Sequence, residues 1–200
     1  MLRRLFSLAF VGVLLVAAVG GGWVVAGGPL KGEAAAPLTV EADTAAEHGF
    51  AEPSVETARF EDRVRVAGVS KEVDLSAHVM TTTHQESGAA VVTVSLPGWT
   101  VAGVSLNPIS YAPLKQAVTH VLPYLPMETP EVTWAGETTV ELDGQSVTAG
   151  EYTVEGEAPR IVVARETMGG DTVFAVGLYS ADRPESRQSV ESLFTELTHA

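Results

Sequence analysis

The residue patterns predict an α+β domain. Its antiparallel β-sheet is built of hairpins and covered by a middle helix and a C-terminal helix. One N-terminal transmembrane helix precedes it. Three observations carry this reading. Leu5 to Ala26 is an apolar run without a charge. From Ala51 onward, β-branched and alternating stretches are divided by glycine-bearing turns. Two stretches, around Leu114–Leu125 and Val190–Leu197, have apolar residues at helical spacing.

The apolar run follows Arg3-Arg4. As a helix it would span about 33 Å at 1.5 Å per residue, enough for a hydrocarbon core of about 30 Å. Residues 1–26 are therefore read as an uncleaved signal anchor, N-terminus inside, with Trp23 near the outer interface. The alternative is a cleaved export signal, and Arg3-Arg4-Leu5-Phe6 loosely matches a twin-arginine leader. Ala34-Ala35-Ala36, the candidate cleavage site, lies far downstream and precedes Pro37. Ala18, Gly22 and Ala26 have small-residue spacing that permits close helix approach, a spacing common in membrane helices.

Residues 27–39, rich in Gly, Ala and Pro, read as a flexible tether, and 40–200 as the extracytoplasmic domain. Asp43 to Phe50 predicts a brief helix capped by Asp43 and ended by Gly49. Ser54–Val66 and Val69–His84 predict a long hairpin. Ala89–Leu96 predicts a strand with Val92, Val94 and Leu96 on one face and Val91, Thr93 and Ser95 on the other. Tyr111–Leu125 predicts the middle helix, with Pro113 in its first turn and Pro123 and Pro126 limiting its end. Asp143-Gly144 joins Val132–Leu142 to Ser146–Val154 as a hairpin. Met168-Gly169-Gly170-Asp171 joins Ile161–Thr167 to Thr172–Tyr179. Pro184–Thr198 predicts the terminal helix, capped by Asp182 or Ser186, with Val190, Leu193, Phe194 and Leu197 as its buried stripe.

Composition then narrows the chemistry. Twenty-five acids face twelve cations, for a net charge of −13, and there is no cysteine. That excludes disulfide scaffolds, thiolate metal sites and thiol nucleophiles. It also argues against nucleic acid, whose phosphates need a basic face. The first 31 residues hold three cations and no acid, so the remainder carries nine cations against 25 acids, a net of −16. Only three cations are lysines. Such a surface suits concentrated salt, where dense carboxylates keep the protein hydrated.

Candidate catalytic groups are sparse. His78 and His84 share a predicted strand but stand about 20 Å apart. That is too far to share one metal ion. His120 has no required partner, and His48 and His199 sit near element ends. Gly103-Val104-Ser105 is half of a nucleophile elbow. Glu141 with Asp143, and Glu155 with Glu157, are acid pairs in an acid-rich chain. No metal and no cofactor is expected. The more informative feature is aromatic: Trp99, Tyr111 and Tyr124, with Leu125, Pro126 and Met127, frame a proline-rich stretch. These residues either line a ligand or partner site or form the seam between helix and sheet.

The domain resembles an uncharacterised family of haloarchaeal exported proteins, a domain of unknown function. The shared features are His48-Gly49-Phe50 after a short helix, the long polar hairpin and Gly103-Val104-Ser105-Leu106-Asn107-Pro108-Ile109. They continue with the Asp143-Gly144 hairpin, Glu151-Tyr152, the Thr172–Tyr179 strand and the terminal helix. The resemblance covers residues 40–200 and implies no activity. Similar members often carry a lipid-anchoring cysteine, so here the apolar helix would be the anchor. The strand–helix order is also similar in outline to extrinsic oxygen-evolving proteins of photosystems and related bacterial lipoproteins, which implies an accessory role. The expected function is a non-enzymatic, membrane-tethered domain binding a membrane-protein partner. The alternatives are a lipid or small apolar ligand and, after that, hydrolysis.

Overall fold

Short turns join most of the strands, so antiparallel pairing dominates. The computed structural model describes residues 30–34, 36–66, 69–98, 100–101, 104–105, 113–116, 131–154 and 159–199. In chain order it begins with β1 (Leu30–Glu33), β2 (Leu38–Thr39) and α1 (Ala42–Glu47). The first meander follows as β3 (Ser54–Val66), β4 (Val69–Thr83) and β5 (Ala90–Leu96). Then come the small hairpin strands β6 (Thr100–Val101) and β7 (Val104–Ser105). The second meander is β8 (Val132–Leu142), β9 (Gln145–Val154), β10 (Pro159–Met168) and β11 (Asp171–Ser180). The chain closes with α2 (Pro184–Thr195) and β12 (Thr198–His199).

Eight strands form the main sheet, in the order β1-β4-β5-β11-β10-β9-β8, with β3 also on β4. It is two antiparallel meanders stitched by β5 against β11. The mostly antiparallel α+β architecture is as expected. β4 serves three partners. β3 runs along one edge from Ser54–Thr81 to Val66–Val69. On the other edge β5 takes His78 to Thr83, and β1 takes Val73 to Ser76 in parallel.

Turn residues set the hairpins. Asp143 and Gly144 both have positive φ, 49° and 68°, which a two-residue turn between twisted strands requires. Gly169-Gly170 repeats the device between β10 and β11. α1 ends in a Schellman arrangement: Phe50 N–H donates to Ala45 O and Gly49 N–H to Ala46 O.

Both faces of the central strands are buried. One face carries Val91, Val162, Ala164, Val173, Ala175 and Tyr179 beneath Val190, Leu193, Phe194 and Leu197 of the terminal segment. The opposite face carries Val92, Val94, Tyr152, Ile161, Val163, Phe174 and Val176. α2 returns along β11. The Ser186 hydroxyl is tied to Ser180 at one end, and His199 lies beside Asp171 at the other. α2 also packs on β5 and β8. Those strands would be about 19 Å apart in a flat sheet, wider than a helix of about 10–12 Å. The helix, about 18 Å long, therefore reaches across four strand spacings, by lying obliquely over the sheet or by the sheet's curvature beneath it. Gly177 permits the close approach, because a Cβ there would lie 2.2 Å from Val190 Cγ1.

Several local expectations need correction. The N-cap of α1 is Glu41, with no side-chain capping bond, and Asp43 lies in the first turn. The N-cap of α2 is Arg183. Ser186 is inside the helix, fully buried, and its hydroxyl bonds to Arg183 O at 2.6 Å rather than capping the free N–H groups. α2 stops at Thr195, because Thr198–His199 pairs with β2. Within the stretch read as a flexible tether, Leu30–Glu33 and Leu38–Thr39 are paired strands. Most of the middle helix lies outside the described residues, as does the apolar segment Leu5–Ala26. Among the described residues, no helix is long and apolar enough to cross a membrane.

Candidate functional site

Trp99, Tyr111 and Tyr124 lie outside the described residues. The chain around them can be followed at two points. At the first, Pro97-Gly98 leaves β5 directly over the β10–β11 turn. A Cβ on Gly98 would lie 1.6 Å from Gly170 O, so only glycine fits. At the second, residues 113–116 make a helical turn, with Gln116 N–H donating to Pro113 O at 2.8 Å. Leu114 packs on the sheet face opposite α2.

That face holds two aromatic residues the aromatic reading did not single out. Tyr152 is buried and its hydroxyl donates to Leu114 O. Trp134 meets the Tyr152 ring edge-on at 5.3 Å and 78°. Half-buried Val79, Leu96, Val132 and Leu178 pack against the same buried cluster elsewhere on this face. Arg165, on neighbouring β10, has its pKa lowered by burial, partly offset by Glu166 and Tyr152. The arrangement is an apolar seam with a polar tie to Leu114 O, suited to holding a covering segment or an apolar ligand.

The face under α2 carries a polar cluster. Glu151 Oε1 accepts from the Tyr179 hydroxyl and from Arg187 Nη1, the latter at 3.1 Å. Arg187 Nε donates to Glu191 Oε1 at 2.8 Å and Nη2 to Thr138 Oγ1 at 3.5 Å. Its guanidinium carbon is 5.8 Å from the Tyr179 ring centroid. Burial first, and then the bond to Glu151, push the Tyr179 phenol well above its ordinary value of 10.0. The bond to Glu191 raises the Arg187 pKa against the opposing effect of burial. A phenol held protonated is a donor, not a base or nucleophile at neutral pH. The cluster ties α2 to β8 and β9.

A second polar group joins the two ends of the domain. Asp171 and His199 are both buried, with Oδ2 and Nε2 3.4 Å apart. This is ion-pair distance, but Nε2 makes no hydrogen bond of good geometry. Ala36 N–H also donates to Asp171 Oδ2, at 3.4 Å. Nearby, Ser95 Oγ accepts from Leu38 N–H at 2.9 Å, and the Thr93 hydroxyl donates to Leu38 O. The buried polar residues of β5 thus satisfy the backbone of β2.

The other candidates are dispersed. His78 Nδ1 is 3.3 Å from Thr57 Oγ1. His84 Nδ1 accepts from Glu86 and Ser87 N–H, and its ring lies edge-on to Phe50 at 5.1 Å. Among the described residues, no group of three or more His, Asp or Glu gathers as a metal site. Ser105 lies in β7. Glu141 and Asp143 are exposed at the end of β8, while His120, Glu155 and Glu157 lie outside the described residues.

Comparison with known families supplies the assignment. The family described as Domain of unknown function (DUF6517) matches residues 37–198. The chain belongs to the DUF6517 family. No curated protein and no solved structure matches it. The DUF6517 span runs from just before β2 into β12, so it takes in both meanders, α2, the Tyr152 seam and the Tyr179 cluster. It ends one residue before His199 and leaves out β1.

Proposed function

We propose that this DUF6517 protein is a haloarchaeal exported protein that remains in the cell membrane. It is a single-pass, extracytoplasmic domain that binds a membrane-protein partner and catalyses nothing. The observation that carries the reading is the short distance between the apolar segment and the sheet. Leu5 to Ala26 follows Arg3-Arg4 without a charge, and β1 begins at Leu30. The four peptide steps from Ala26 to Leu30 reach at most about 14 Å. A membrane helix ending at Ala26 would therefore hold the domain against the bilayer surface, within reach of a neighbouring membrane protein.

The test is cross-linking in native membranes at native ionic strength, followed by affinity capture and mass spectrometry. One membrane protein should be recovered with the full chain and lost when only residues 1–39 are expressed. No protein above that control would overturn the partner reading. A lipid or apolar molecule retained by the full chain and lost in Trp134→Ala would instead favour a ligand site at the Tyr152 seam. The net of −16 beyond residue 31 adds an expectation. The domain should be folded in molar KCl and lose structure in dilute buffer; equal thermal stability in both would remove the high-salt part of the reading.

A further inference from the structure

Ala34-Ala35-Ala36 has the small-residue spacing of an export-peptidase site, with the cut falling between Ala36 and Pro37. The structure gives the same stretch a different use. Ala34, Ala36, Leu38 and Val40 are all buried, at 2%, 7%, 0% and 5% exposure, whereas Pro37 and Thr39 are half-buried. Every second residue from Ala34 to Val40 therefore belongs to the core, the period of an extended chain laid against a packed surface.

The backbone of this arm is received along its length. Leu30 to Glu33 pairs with Val73 to Ser76 of β4, and Ala34 N–H continues to Ser76 O at 3.2 Å. Ala36 N–H donates to Asp171 Oδ2 at 3.4 Å. Leu38 N–H donates to Ser95 Oγ at 2.9 Å, and Leu38 O accepts from the Thr93 hydroxyl. Leu38 and Thr39 pair with β12. Thr93, Ser95 and Asp171 are themselves buried. Buried polar side chains are placed where they find partners, and these three have partners in the arm. A cut after Ala36 would remove β1, both buried alanines and the N–H donor to Asp171. It would also bare the edge of β4 from Val73 to Ser76 that β1 covers, and an open strand edge is a site of aggregation.

We propose that the arm Leu30–Val40 is a permanent part of the mature domain, so that any processing of the chain falls ahead of Leu30 and not at Ala36–Pro37. The domain then begins ahead of the family match, which starts at residue 37. The proposal adds to the membrane-tethered reading without resting on it. It holds for an intact apolar segment and equally for one removed before β1.

The test reads the N-terminus of the protein as its own cells make it, taken from membranes and from medium. The free α-amino group is chemically tagged before digestion. Trypsin then cuts after Lys31 and next after Arg59. The N-terminus should lie at or before Leu30, and the peptide Gly32–Arg59 should be recovered without the tag. A tagged N-terminus beyond Leu30, at Pro37 above all, overturns the proposal. The length of chain found ahead of Leu30 decides separately whether the apolar segment is kept. A second measurement reads the docking of the arm. The chain has no cysteine, so Ala36→Cys and Glu52→Cys in the full chain each carry one thiol, the first at a buried position and the second at an exposed one. A buried thiol reacts only when its segment opens, so in molar KCl the label at 36 should attach about 100-fold more slowly than in the urea-unfolded chain. The label at 52 should attach at close to its unfolded rate. Labelling at 36 as fast as at 52 overturns the proposal.

Discussion

The second meander with α2 and the β3–β4 ribbon are built from the same kind of strand, yet they are held in opposite ways. β10 and β11 are buried on both faces, and β11 has seven consecutive buried residues from Asp171 to Gly177. In β3, Ser54, Val55, Glu56, Thr57 and Arg59 are exposed, and Val55, 45% exposed, is the one exposed large hydrophobic residue among those described. The first region is held by burial and close packing, whereas β3, the outer strand of the ribbon, is held by backbone pairing to β4 alone. Stability should therefore be concentrated in the meander, leaving the ribbon free to vary in residue type and to serve a surface role.

The sharpest way to break this contrast is in the helix face. Phe194→Ala, at a fully buried ring, should cost about 3–5 kcal/mol in denaturant unfolding. A loss below about 1 kcal/mol would mean that α2 does not close the core. Next is the high-pH limb of stability. The folded Tyr179 pKa is raised above 10.0, so the protonated phenol's contribution is intact below pH 10 and is lost as pH rises toward the folded value. Wild type should lose about 1.4 kcal/mol per pH unit there from this group, and Tyr179→Phe should lack that increment in pH-dependent melts.

Asp171→Ala removes the acceptor for Ala36 N–H and the partner of His199. It should cost about 1–3 kcal/mol. Amide exchange should then rise at β2 and β12 first, and uniform exchange across the sheet would argue against a local staple. Tyr152→Phe keeps the ring on Trp134 but removes the bond to Leu114 O. About 1 kcal/mol is expected, with faster proteolysis near residues 113–116. At the small end, Val55→Ser should stay within about 0.5 kcal/mol of wild type. A larger loss would show that the ribbon is packed after all.

Much of the local layout was legible in the chain. The two strands of the long hairpin and the Asp143-Gly144 turn follow from alternation and turn chemistry, and Val190, Leu193 and Phe194 follow from helical spacing. The candidate site was less legible. Trp134 illustrates why. Counting back from Asp143-Gly144 pairs Leu142 with Gln145 and Gly136 with Glu151, and the same register would set Trp134 opposite Thr153. The bulge at Ala135 shifts it to Tyr152. That one extra residue moves Val132 and Trp134 to the face opposite Val140 and Leu142. Gly136, an isolated glycine within the strand beside the shift, is the signal that marks it, but a glycine alone does not say which residue is extra.

The sequence by itself determined the long strands and glycine-bearing turns of the two meanders, the terminal helix and its buried stripe, and the acidic balance, because each depends on residues within a few positions of one another. Only the tertiary structure decided the stitch between β5 and β11, the parallel entry of β1 beside β4, and the polar ties at Tyr179, Asp171 and Tyr152. Alternation shows which residues can be buried. It cannot rank two faces that are both buried, nor choose among distant strands with similar apolar rows. Those choices depend on close fits such as Gly177 beneath Val190 and Gly98 against Gly170 O, made between residues far apart in the chain.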